Sequence, residues 1–140
     1  PLWCLVYKNK SKAIKEAIKI IVEQYNGVVP HDKKTLISLP GVGNKTANVF
    51  RAEYLKEPEL AVDTHVSRVA KRLGFVTQKD SVETIERKLR KAFDKSEYIK
   101  VHHLFIHFGR YFCKAINPNC KECALKDICR FYNIKNRRKR

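Results

Sequence analysis

The chain has 140 residues, 44% of them hydrophobic, and a formal net charge of +16 from 30 Lys and Arg against 14 Asp and Glu. That length suits one ordinary domain or two small lobes, and the apolar share argues against wholesale disorder. No run approaches the roughly 20 apolar residues that span a bilayer, and a field of this sign attracts polyanions, nucleic acid ahead of anionic lipid.

The start, Pro1-Leu2-Trp3-Cys4-Leu5-Val6, is too short for a signal peptide and has no leading basic region. With no Met in the chain, a processed, truncated or partial gene product is expected. The pattern is nearly all helix, with no internal repeat and no convincing strand; the Leu2 to Tyr7 run is ambiguous. From Lys12 to Tyr25 the apolar residues Ile14, Ala17, Ile18, Ile21, Val22 and Tyr25 recur at helical spacing. Ser11 is placed to cap that helix and Gly27 to end it, with Pro30 beyond. Asp32 caps a short helix through Leu39. Pro40-Gly41-Val42-Gly43 then breaks the chain, and a further helix runs from about Asn44 to Leu55. Another starts after Asp63-Thr64 and stops past Leu73 at Gly74. Asp80 with Glu83 reads as a capping box for the face of Val82, Ile85, Leu89, Ala92 and Phe93. An aromatic-rich helix spans roughly Glu97 to Phe112, followed by a cysteine loop. The tail, Lys135 to Arg140, has no apolar period and is expected to be disordered.

Three places carry chemistry. In Leu39-Pro40-Gly41-Val42-Gly43-Asn44-Lys45-Thr46-Ala47 the two glycines permit a tight turn and close approach by a partner, and the amides opening the next helix favour an anion. Such a turn suits a phosphate and positions DNA without reading its sequence; an ordinary helix–helix turn looks the same from spacing alone. Lys45 falls in the first turn, where the helix dipole disfavours a cation and so favours the neutral, nucleophilic amine. A solvated surface lysine is the plain alternative. Asp63 is a good N-cap in its own right; its functional reading is an acid that moves protons and steadies positive charge developing on a sugar ring. His65, His102, His103 and His107 suit packing or phosphate contacts better than a metal, because no matching carboxylate motif accompanies them.

The third place is Cys113, Cys120, Cys123 and Cys129, spaced C-x6-C-x2-C-x5-C; the fifth cysteine, Cys4, suits apolar packing. Tight clustering and an odd count point to a metal in a reducing compartment rather than a disulfide framework. Four thiolates from one loop can enclose a [4Fe–4S] cluster or a zinc, and the single close pair weighs against the usual two-pair zinc site. Lys114, Lys121, Lys126 and Arg130 would offset a negative cluster and face phosphate.

Together these residues resemble the endonuclease III family of helix-hairpin-helix DNA glycosylases. The hairpin is similar from Leu39 to Val49, the acid segment from Ala61 to Val66 with Arg68-Val69, and the cluster region from His102-His103 through Gly109-Arg110-Tyr111 to the four cysteines. The likeness covers about Tyr7 to Tyr132. It implies an all-α fold: residues 1–57 as the remnant of a helical-barrel lobe with the hairpin, 58–134 as an iron–sulfur lobe and 135–140 as a basic tail. It implies that Lys45 attacks C1′ of a damaged nucleotide, displaces the base and forms a Schiff base that permits β-elimination, with Asp63 as the supporting acid. The implied partner is double-stranded DNA holding oxidised pyrimidines or abasic sites, contacted through Leu39, Gly41, Val42, Gly43, Lys45, Thr46, His65, Lys114 and Lys121. The implied cofactor is a [4Fe–4S] cluster on the four cysteines. A cytoplasmic, nucleoid-associated monomer without membrane contact is expected.

Lys45 separates this pattern from the adenine-glycosylase and thymine-mismatch branches, which lack a lysine there. Family members carry several more helices before the segment matching Ile14 to Tyr25, so this chain is expected to need that segment for a complete pocket. Two other readings stay open: a non-catalytic DNA-binding fragment, and a zinc-stabilised nucleic-acid-binding module.

Overall fold

A computed structural model of the chain describes the backbone of residues 2–137 and the side chains of residues 7–135. All regular elements among the described residues are helical, and no described helix is long and apolar enough to cross a membrane. The chain divides into two compact units, residues 1–57 and residues 58–140.

The first unit holds α1 (Leu2–Tyr25), α2 (Lys33–Ser38) and α3 (Asn44–Glu53). α1 starts ten residues before the expected Lys12, and the ambiguous Leu2 to Tyr7 run belongs to it. No Gly or Pro interrupts residues 2–25, so the helix continues upstream of its amphipathic part. Ser11 is therefore interior, and its hydroxyl donates to the Tyr7 carbonyl one turn back, at 2.9 Å, instead of capping. Asn26 and Gly27, both left-handed, turn the chain away at the end. Asp32 caps α2 as expected, accepting from the Lys34 and Thr35 amides at 3.1 and 2.7 Å.

The small core of this unit is Leu36, Leu39 and Ala47, packed by Ala17, Ile20, Ile21, Val42 and Phe50. Only part of the expected apolar face of α1 takes part. Ile14, Ile18 and Val22 are each more than half exposed, and Ile20, outside the predicted stripe, points inward instead.

The second unit holds α4 (Thr64–Leu73), α5 (Val82–Ala92), a 3₁₀ turn (Lys95–Glu97), α6 (Tyr98–His107), a π-helical turn (Phe108–Phe112) and α7 (Arg130–Arg137). Its core gathers Leu60, Val62, Val66, Ala70, Val76, Ile85, Leu89, Tyr98 and Val101. Gly74, at φ +97°, ends α4 in the left-handed region that favours glycine. The cap of α5 is Ser81, whose Oγ accepts from the Thr84 amide at 3.3 Å, one residue after the expected Asp80. Asp80 is engaged elsewhere: its Oδ2 accepts from the Thr77 amide at 2.7 Å and from Lys88 Nζ at 2.8 Å. Arg90 bridges the partly buried Glu59 and Glu86 and lies over the Tyr98 ring, 5.2 Å from its centroid. Burial alone would lower the Arg90 pKa, but the two carboxylates outweigh it and hold the guanidinium charged.

The helix expected through Phe112 changes character at Phe108, where one π turn replaces the α-helical repeat. Gly109 lies in that turn against α4: a Cβ there would come within 3.0 Å of His65 Cβ and 3.2 Å of Val69. α7 corrects the expectation for the tail, since the helix runs through Arg137. Its Phe131 ring carries the Arg72 guanidinium, a contact across 59 residues that no local pattern announces. Residues 138–140 and the Cys4 side chain, expected as disordered tail and apolar packing, lie outside the described residues.

Candidate functional site

The turn between α2 and α3 closes on a bond from the Val42 amide to the Leu39 carbonyl, 3.1 Å. Gly41 stands inside it at φ +77°, and a Cβ there would lie 2.9 Å from Ala13 Cβ. Conformation and space both demand glycine at that position. Gly43 is different: its φ is −93°, and a Cβ would meet nothing within 4 Å. Nothing among the described residues calls for glycine at 43, so the bare backbone there leaves room for an outside partner. Gly43 is also the N-cap of α3 and supplies no side-chain cap. Lys45 and Thr46 are exposed in the first turn that follows. Leu39, by contrast, is only 4% exposed and supports the turn from the core, with Val42 half-buried beside it.

Asp63 belongs to the second unit. It is the N-cap of α4, its Oδ1 accepting from the Val66 amide at 2.8 Å. The segment leading to it is anchored from below. Ala61 and Val62 are buried, and the Ala61 carbonyl takes a 2.8 Å hydrogen bond from Nδ1 of the buried His102. A carbonyl only accepts, so that nitrogen carries the proton. His102 therefore anchors the backbone two residues before Asp63. His65 is half-buried with its Nδ1 3.1 Å from Arg68 Nη2; the guanidinium only donates, so this nitrogen accepts. His107 packs against Tyr111 with the rings tilted by 39°.

Cys113, Cys120, Cys123 and Cys129 all line one pocket, walled by Phe108, Phe112, Phe131 and Leu73, with Arg72 and Lys126 at its edge. Cys129 is buried and the other three are half-buried. Burial, then the nearby Cys113 and Cys129 sulfurs, push the Cys120 thiol above its ordinary range, while Arg72 opposes them. Among the described residues no three His, Cys, Asp or Glu side chains are grouped to hold a single metal ion. The donor set, four thiols inside apolar walls, fits a thiophilic metal group all the same.

The loop carrying the thiols is held from α4. Arg68 Nε donates to the Cys113 carbonyl at 3.1 Å and its Nη2 to the Gly109 carbonyl at 2.6 Å. Arg72, one turn on, reaches the same loop. Lys114 and Lys121 project from it, exposed. Sequence reasoning gave Arg68 no role beyond its place in a resembling segment and gave Arg72 none at all. Their partners lie 41 to 45 residues away, and only an i, i+4 pair of arginines on one helix face hinted at them.

The model of the HhH-GPD superfamily of base excision DNA repair proteins matches residues 4–95, about two-thirds of the chain. The chain belongs to that superfamily. It is 49% identical over 125 residues to endonuclease III of Bacillus subtilis, covering 89% of this chain and 57% of that relative. It is 43% identical over 127 residues to endonuclease III of Thermotoga maritima, covering 91% and 59%. Among solved structures, a trapped endonuclease III–DNA covalent intermediate superposes with a TM-score of 0.90 at 45% identity, over 94% of this chain and 62% of that one. A thermostable thymine-DNA glycosylase, at 22% identity and a TM-score of 0.65, shares the fold. The chain thus spans about three-fifths of the length of the relatives it matches. In the superfamily frame, the glycine turn, Lys45 and Asp63 all fall inside the matched residues, and the cysteine loop lies beyond them.

Proposed function

We propose that this chain carries the lysine nucleophile and the thiolate cluster of an endonuclease III-type DNA glycosylase and abasic-site lyase. The observation that carries the reading is Lys45, exposed in the first turn of α3 directly after a glycine turn whose Gly43 is open to a partner. The Gly41–Gly43 backbone takes a phosphate of double-stranded DNA, with Thr46, His65, Lys114 and Lys121 adding contacts and Leu39 and Val42 holding the turn in shape. A damaged pyrimidine leaves the stack more cheaply than an intact one. The Lys45 amine attacks C1′, the C1′–N bond breaks, and the base departs with the electron pair and a proton. The C1′–O4′ bond then breaks as O4′ takes up a proton, which opens the sugar to a protonated Schiff base, and loss of a C2′ proton from it expels the 3′ phosphate. Asp63 assists the proton movements and steadies positive charge on the sugar. A neutral amine at Lys45 is the reactive form.

Residues 1–57 then form the remnant of the helical-barrel lobe, 58–134 the cluster lobe and 135–140 a basic extension. Cys113, Cys120, Cys123 and Cys129 hold a [4Fe–4S] cluster that fixes the loop and its lysines and stands apart from the hydrolytic chemistry. The protein works in the cytoplasm at the nucleoid, as a monomer. A second reading, DNA binding without turnover by an incomplete enzyme, is favoured by the exposed Ile14, Ile18 and Val22 stripe on α1.

The test is strand nicking on a duplex with one abasic site, and base release from a duplex with one oxidised pyrimidine. Wild type nicks, while Lys45→Ala still binds the duplex, with affinity reduced by the one lost cation, and leaves the strand intact. Nicking by both would overturn the role of Lys45; binding without nicking by either would establish the second reading.

A further inference from the structure

Arg72 stands in the last turn of α4 and carries no motif of its own. Its Nη1 donates to the Cys113 carbonyl at 3.2 Å and the Lys114 carbonyl at 2.6 Å, and lies 3.3 Å from the Cys113 sulfur. Its Nη2 donates to the Ala115 carbonyl at 3.1 Å. One planar fork therefore gathers three consecutive carbonyls and a thiol. The same residue comes close to a second cysteine through its backbone, since the Cys129 sulfur lies 3.4 Å from the Arg72 carbonyl. The guanidinium face lies over Phe131, 4.7 Å from the ring centroid. Arg72 and Phe131 border the cysteine pocket on one side and an open polar groove with Thr64, Ser67 and Gln78 on the other. The stacked pair is the wall between them.

Two physical consequences follow. A rigid fork loses little entropy per hydrogen bond, so it is suited to hold a loop that has no regular structure of its own. A fixed positive charge and an N–H donor beside a ligating sulfur stabilise the electron-rich state of whatever the thiolates bind.

We propose that Arg72 is the positioning residue of the thiolate pocket: it locks Cys113 in its ligating place, offsets the charge on it and, with Phe131, closes the pocket toward the outer groove. This rests on reading the four cysteines as ligands of an iron–sulfur cluster. Lysine keeps the charge but cannot span three carbonyls, so substitution separates the latch from the charge.

The experiment uses the full chain, prepared without air, as wild type, Arg72→Lys and Arg72→Met, with iron and sulfide content, helix content by circular dichroism, iron release to a chelator, and midpoint potential. All three hold the same helix content. Arg72→Met releases iron faster, by about tenfold or more as for other outer-shell ligand partners, and its potential falls. Arg72→Lys releases iron about as fast as Arg72→Met, while its potential stays near wild type. Wild-type release from folded Arg72→Met overturns the proposal. Should Arg72→Met not fold, release from Arg72→Lys decides: fast upholds the latch and wild-type release overturns it. A wild-type protein without iron and sulfide overturns the cluster reading instead. Arg72 is then scored by exchange of the Cys113 and Asn119 amides, which bond to the Phe108 and Phe112 carbonyls. Faster exchange in the variant upholds the latch, and unchanged exchange overturns it.

Discussion

The hairpin that carries Lys45 and the loop that carries the four cysteines are built by opposite means. The hairpin is local: α2, a turn closed by one backbone bond, and α3 lie within about twenty residues, fastened by Leu36, Leu39 and Ala47. The loop between Phe112 and α7 has no regular secondary structure, and arginines on α4 hold it from outside. A turn whose shape comes from its own glycines can be ready before its partner arrives. A loop whose shape comes from distant side chains, and from the cluster proposed for its thiols, depends on both.

The largest expected effect tests that contrast directly. Stripping the proposed cluster with a chelator should release amide protection across residues 113–129 by orders of magnitude, yet leave protection in α3, such as the Ala47 amide bonded to the Gly43 carbonyl, unchanged. Equal loss in both regions would erase the distinction. Within the hairpin, Gly41→Ala meets both a left-handed backbone and Ala13, and should cost about 1–3 kcal/mol in chemical denaturation. Gly43→Ala should leave stability within about 0.5 kcal/mol and instead weaken duplex binding, read as a shift of the salt titration. Identical behaviour of the two alanine variants would refute the separate roles assigned to the glycines.

In the second unit, His102→Ala removes the donor to the buried Ala61 carbonyl and should lower stability by about 1–3 kcal/mol. It should also slow nicking more than it weakens DNA binding, because the Asp63 segment loses its anchor. Unchanged nicking at full folding would leave His102 a packing residue only.

The smallest effect is a pH dependence. The Asp80 carboxyl is held below its ordinary value, first by the hydrogen bond from Lys88 and then by the Thr77 amide. A depressed folded pKa gives stability that is present above the unfolded value and lost as pH falls through the folded one. Asp80→Asn should therefore melt slightly lower than wild type at pH 7, and the two curves should converge in acid. A gap that persists unchanged in acid would show that Asp80 acts through packing.

The same contrast explains what was legible in the sequence. Asp32, Gly41, Asp63 and Gly74 were readable because each does its work within a few residues of itself. The all-helical fold and the superfamily likewise followed from short patterns. The α5 cap moved from Asp80 to Ser81 because Lys88, eight residues away, claims Asp80. The last helix was missed because Phe131 meets Arg72 rather than a periodic partner. The π turn at Phe108 answers to α4, where Gly109 packs against His65 and Val69. At the candidate site Lys45, Asp63 and the thiols were visible as residues, and the long-range bonds by which Arg68 and Arg72 hold the thiol loop and His102 holds the Asp63 segment were not.

The proposed role of Lys45 as the nucleophile carries the whole reading. Borohydride reduction of the protein on a duplex with an oxidised pyrimidine, followed by peptide mapping of the adduct, tests it most directly. A covalent protein–DNA adduct on Lys45 that disappears in Lys45→Ala is expected. An adduct on another amine, or one of equal yield from Lys45→Ala, would contradict it.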